Sequence, residues 1–138
     1  MDDSDEDIPR LPRPYDALTV AVDLQNVVTR GERLLVPDVR IHTGVMSTCL
    51  PADLLDSLHI TREQVVQVER PDGQILERAI GAAILTIVGR STVDNIIFGE
   101  PGDAIVIGWR ALTGLNLEVD NESGHLVDRG PIPAASVY

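Results

Sequence analysis

The densest cluster of reactive side chains in this chain is the stretch Val39-Arg40-Ile41-His42-Thr43-Gly44-Val45-Met46-Ser47-Thr48-Cys49-Leu50-Pro51. An imidazole there can serve as a base or a metal ligand. Ser47, Thr48 and Cys49 can serve as nucleophiles, but only with a base held within hydrogen-bond reach. The spacing works against that pairing, because neighbours in a strand project to opposite faces, and no Gly-x-Ser-x-Gly turn occurs in the sequence. A zinc site takes three or four ligands. His59, at the end of a predicted helix, and His125, in a late hairpin, lack ligand spacing to His42. No metal and no cofactor are therefore expected. Cys49 is the single cysteine, which excludes an internal disulfide. It reads as a small buried apolar residue. All 11 cations are arginine, so Schiff-base chemistry and a P-loop lysine are both removed.

These residues need strands to hold them. From Asp16, "DALTVAVDLQNVVT" alternates through Leu18, Val20, Val22 and Leu24, which is a strand pattern. "RGER" is a turn, and "RLLVPDVRIH" a second strand in which Pro37 predicts an edge or a bulge. Pro51 opens a short helix, "PADLLDSLHI", with Leu54, Leu55 and Leu58 on one face. The stretch from Val65 to Gly99 reads as β-hairpins, with turns at Pro71-Asp72-Gly73-Gln74 and Gly89-Arg90, and a further turn at Pro101-Gly102. "AIVIGWRALTGLNLEVD" predicts a buried strand, one or two helical turns and a closing strand, and "NESGHLVD" a last hairpin. Strands at roughly ten-residue spacing predict a small barrel or sandwich.

Four pieces in this order resemble the single-domain retropepsin-like aspartic proteases, over residues 16–128. That family's loop is an apolar residue, Asp-Thr-Gly-Ala, a Ser or Thr a few positions on, and often Leu-Pro opening a helix. Here stand Ile41, His42-Thr43-Gly44-Val45, Ser47, Thr48 and Leu50-Pro51. "ERPDGQILER" takes the place of the family's hairpin flap. "AIVIGWRALTGLNL" takes that of its apolar-Gly segment and C-terminal helix, and "LEVDNESGHLV" that of the strand and Gly turn that follow. The resemblance implies an all-β, retropepsin-like acid-protease barrel with one or two short helices.

It also implies a homodimer in which two loops meet across a dyad, and two carboxylates share one proton and activate a water. By resemblance Thr43 crosses the dyad, Gly44 lets the backbones approach, Ser47 supports the acid position, and Asp72 and Gly73 form the flap tip. Asp120 falls in the closing strand, away from the dyad, and Trp109 is expected in the core or at the dimer contact. The departure is His42, which occupies the acid's position and cannot supply the negative charge that makes the water a nucleophile. The chain as written is thus expected to be an inactive homologue that binds peptide or protein ligands. One alternative is an active aspartic-type peptidase whose acid has been replaced by substitution. The other is a structural or assembly module with a filled cleft.

Composition bounds the remainder. The net charge is −11, and five of the 22 acids lie in the first seven residues. An acidic surface repels phosphates, and 3% aromatic content leaves little to stack on bases, so nucleic acid is not an expected partner. No apolar run reaches the length of a membrane span. The start, "MDDSDEDIPRLPRP", lacks the basic and apolar stretches of a signal peptide, so a cytoplasmic location is expected. Residues 1–15 read as a disordered acidic, proline-rich tail, 16–128 as the retropepsin-like domain, and 129–138 as a C-terminal tail.

Overall fold

Alternating apolar residues close on themselves in the computed structural model, which describes residues 18–134. The acidic stretch expected to form an N-terminal tail lies outside the described residues. The strands are β1 (Thr19–Asn26), β2 (Arg33–Ile41), β3 (Thr48–Pro51), β4 (Gln64–Glu69), β5 (Ile75–Ile87), β6 (Arg90–Gly99), β7 (Val106–Ile107), β8 (Leu117–Val119) and β9 (Leu126–Asp128). Two helices of six residues each, α1 (Ala52–Ser57) and α2 (Trp109–Gly114), interrupt them.

The main sheet runs β1-β2-β7-β3-β6-β5-β4, and β1 also pairs with β5. That extra pairing, Asp23↔Thr86 through Asn26↔Ala83, joins the first strand to the sixth and closes a six-stranded barrel. The expected all-β barrel with short helices is the observed architecture. Closure removes the exposed edges of the six barrel strands and leaves β4 outside them. Its interior is filled by Val22, Leu24, Leu50, Leu85, Ile96 and Phe98, each fully buried.

β5 has two roles. Its second half pairs with β6, Ile80↔Ile97 through Ile87↔Arg90. Its first half leaves the barrel and pairs with β4 alone, Ile75↔Glu69 through Ala79↔Val65, with Ile80 paired on both sides. The β4–β5 hairpin therefore projects from the barrel wall, with β4 as the free edge of the sheet. Pro37 sits where a bulge was predicted, since Val20 faces Val39 while Val22 faces Val36. The turn assigned to Gly89-Arg90 lies one residue earlier. Arg90 already begins β6 and pairs with Ile87, because a two-residue connection suffices for a hairpin.

β8 and β9 form a separate two-stranded sheet. Beyond it, Arg129 N–H donates to the Asn116 carbonyl and Asn116 Nδ2 to the Gly130 carbonyl. The start of the stretch read as a C-terminal tail is thus bonded to the body. Among the described residues, no helix is long and apolar enough to cross a membrane.

Candidate functional site

Four backbone and side-chain contacts hold the His42–Ser47 elbow against the strand–helix junction at Gly108. Ile41 ends β2 in a parallel pairing with Ile107 of β7. The chain then turns, and His42 N–H donates to the Ile107 carbonyl at 2.9 Å. The first N–H groups of a helix have no partners within it, and the elbow supplies them. Gly108 N–H donates to Thr48 Oγ1 at 3.0 Å, Trp109 N–H to the Val45 carbonyl at 2.9 Å and Arg110 N–H to the Met46 carbonyl at 3.1 Å. The approach is close enough to need glycine. A Cβ at Gly108 would stand 2.5 Å from the Met46 carbonyl oxygen and 2.7 Å from its carbon.

These contacts decide the fate of the candidate nucleophiles. Thr48 is fully buried and its hydroxyl oxygen accepts the Gly108 N–H. Cys49 is buried as expected, and that burial, with the Asp103 charge nearby and against the opposing pull of Arg78, pushes its thiol up to about 11. At neutral pH such a thiol holds almost no thiolate. Ser47 is half-buried and lines a groove described below.

His42, Thr43 and Gly44 are exposed at the elbow's outer face. Gly44 N–H donates to His42 Nδ1 at 3.1 Å, so the ring folds back over its own loop. A ring nitrogen that accepts a backbone N–H carries no proton, so in a neutral ring this hydrogen bond leaves the proton on Nε2. Around the elbow Val45, Met46 and Trp109 are 36%, 44% and 45% exposed. Trp109 does not pack in the core of the single chain. It opens α2 and remains 45% exposed, lining a recess with Thr43 and Leu112.

The β4–β5 hairpin overhangs a groove that starts beside the elbow. One part, about 270 Å³, lies among Met46, Ser47, Val66, Val68, Ile97 and Arg110. The next, about 360 Å³, shares Val68 and Ile97 with it and continues past Leu76, Arg78 and Asp103. Alternation along β4 turns Val66 and Val68 inward while Val65 faces out. Thr43 lies outside this groove, in a recess of about 250 Å³ with Trp109, Leu112 and Val119.

Asp72 and Gly73 stand exposed at the hairpin tip. Asp72 Oδ1 accepts the Gln74 N–H at 2.9 Å, and Gly73 takes φ +88°, a backbone region that favours glycine. Neither touches His42. The groove is reached instead by Arg70 and Pro71, just before the tip. The hairpin is tied down through Asp103, on the β6–β7 connection. Arg78 reaches it with Nε at 2.7 Å and Nη2 at 2.9 Å, and Arg70 with Nη2 at 3.1 Å. The Arg78 hydrogen bonds, with help from the Glu100 N–H and Arg70, hold the Asp103 carboxyl well below the usual carboxylate range despite the opposing effect of burial.

Two groups that local sequence signals did not single out complete the region. Arg110, second residue of α2, faces the groove, and its Nη2 lies 3.1 Å from Met46 Sδ. Asp94, on β6, is 6% exposed, and its Oδ2 has no hydrogen-bond partner among the described residues. Burial raises the Asp94 carboxyl above its ordinary value, opposed by the Asn95 N–H and the Arg110 charge. The signal available in the sequence was parity: Thr92, Asp94, Ile96 and Phe98 share one face of β6, and the last two are core residues. Among the described residues, no three His, Cys, Asp or Glu side chains gather as a metal site.

No protein-family model matches the chain, and no curated protein matches it. Among solved structures, the chain is similar to the solution structure of simian foamy virus (mac) protease. That likeness has 14% identity, spans 70% of this chain and 92% of that one, and has a TM-score of 0.48.

Proposed function

We propose that this chain is a homodimeric, retropepsin-like domain that holds extended peptides in the groove beneath the β4–β5 hairpin and does not hydrolyse them. The observation that carries this reading is the elbow itself. It keeps a full set of backbone contacts to β7 and α2, while the side chain in the acid's place is an imidazole bonded to Gly44 N–H.

Hydrolysis by a shared carboxylate pair needs one negative charge to draw a proton from the attacking water. Two neutral His42 rings meeting across a dyad would bring N–H donors and no such charge, and two protonated rings would repel each other. A water held by two donors is a poorer nucleophile than one held by a carboxylate. Losing a group of this kind costs several powers of ten in rate.

Peptide binding asks less of the elbow. The groove has apolar walls and an exposed strand edge at β4, and an extended peptide can add to such an edge through its own backbone. Its open volume favours a binding role over a module with a filled cleft. The exposed Val45, Met46 and Trp109 around the elbow favour self-association there, since apolar residues grouped on a surface mark contact sites. By the resemblance, the exposed Thr43 would make the crossing hydrogen bond to a second elbow.

The test is cleavage of a mixed peptide library at acidic pH, by the chain as it stands and by His42→Asp. We expect no products from the former. From the latter we expect cleavage that a statine-type aspartic-protease inhibitor blocks. Cleavage by the unsubstituted chain overturns the inactive reading. A solution mass of one chain across the micromolar range overturns the dimer.

A further inference from the structure

Arg110 stands apart from the other groove cations. Of the three arginines that line the groove, Arg70 and Arg78 both meet the Asp103 carboxylate, while Arg110 has no carboxylate in ion-pair contact among the described residues. The nearest atom its guanidinium engages is Met46 Sδ, a weak acceptor. Asp94 is close enough for the two charges to be felt, yet it is bonded only through Oδ1 to the Asn95 N–H.

The recess in front of Arg110 has two kinds of wall. Val66, Val68, Ile80 and Ile97 are apolar, while Ser47, Gln67, Asn95 and Arg110 are polar, and Arg110 is the one charged group among them. A side chain with a short apolar stem and a terminal carboxylate matches both. The methylenes would lie along the valines and isoleucines, and the carboxylate would meet the planar fork of the guanidinium, which is always charged and binds such groups with two parallel hydrogen bonds. Aspartate is a methylene shorter, and lysine would set two cations together. The chain's net charge of −11 repels acidic ligands at long range. A preference for acid would therefore come from contact inside the recess and show in the dissociation rate.

We propose that this recess selects a glutamate side chain of an extended peptide, with Arg110 as the specificity-determining residue. The proposal rests on the peptide-binding reading above and adds the substrate class.

The experiment uses the full chain and fluorescein-labelled octapeptides of alanine, valine and leucine. A single Glu, Gln, Asp, Lys or Leu is scanned through each position, and binding is read by anisotropy. At one position Glu should bind about tenfold tighter than Gln, the size of one charge-assisted pair, with Lys weakest. Arg110→Gln should erase the Glu preference and leave the Leu peptide within about twofold, as loss of one charged contact leaves the apolar walls intact. Arg110→Glu should reverse the order in favour of Lys, which a general loss of folding would not do. Equal binding of Glu and Gln, or a Glu preference that survives in Arg110→Gln, overturns this inference while leaving peptide binding in place. Absence of binding by every peptide overturns the parent reading, and this one with it.

Discussion

The elbow and the hairpin tip lie on either side of one groove and are held by different forces. The elbow is fixed mainly through backbone groups: Ile107, Val45 and Met46 contribute carbonyls, His42, Gly108, Trp109 and Arg110 contribute N–H groups, and the Thr48 hydroxyl accepts the Gly108 N–H. The hairpin tip is fixed through charges, with Arg70 and Arg78 converging on Asp103. A backbone-held loop tolerates exchange of an outward side chain, which is why a histidine can stand where the resemblance places an acid. A charge-held tip depends on pH, on salt and on three particular side chains.

The largest expected effect lies on the elbow's side. Gly108→Ala puts a methyl group into the Met46 carbonyl, an atom of the backbone that cannot move without dragging the loop. Thermal unfolding should show a loss of about 3 kcal/mol, the upper range for forced overpacking. A loss within experimental error would mean that the close approach is not required. Thr48→Val is next. It keeps the shape and removes the acceptor of the buried Gly108 N–H. An unpaired buried donor costs about 2 kcal/mol, and chemical denaturation should find it, with little change at the hairpin by amide exchange.

Asp103→Asn should have the smallest global effect and the most local one. Faster amide exchange in β4 and in residues 75–80 is expected, with β1 and β2 unaffected. The pH dependence follows from the sign of the shift. A carboxyl depressed in the folded state adds stability above its unfolded value, near 4, and loses it as pH falls further. Hairpin protection in the unsubstituted protein should therefore decline in acid and in high salt, while Asp103→Asn starts low and stays flat. Equal protection in both proteins at neutral pH would refute the charge-held tip.

Local features were legible in the sequence. Pro37 announced its bulge, the Pro71–Gln74 turn produced its hairpin, and Val106-Ile107-Gly108 led from a buried strand into α2. Each depends on a few adjacent residues whose φ preferences or alternation act within one element. Trp109 was expected in the core or at a dimer contact, and its 45% exposure rules out the first and leaves the second. Arg110 and Asp94 gave no motif, because what distinguishes them is the absence of partners, and partners come from other elements.

The order of strands, turns and short helices is written in the chain, as are the Thr43-Gly44 elbow, the histidine ahead of it and the acidic charge balance, since alternation, turn residues and side-chain ionisation are properties of neighbouring residues. Closure of the barrel through β1 and β5, the parallel meeting of β2 with β7, and the groove between hairpin and elbow were decided by tertiary structure alone. Those contacts join residues about 60 positions apart, and which pairs form depends on how the whole apolar surface is buried at once.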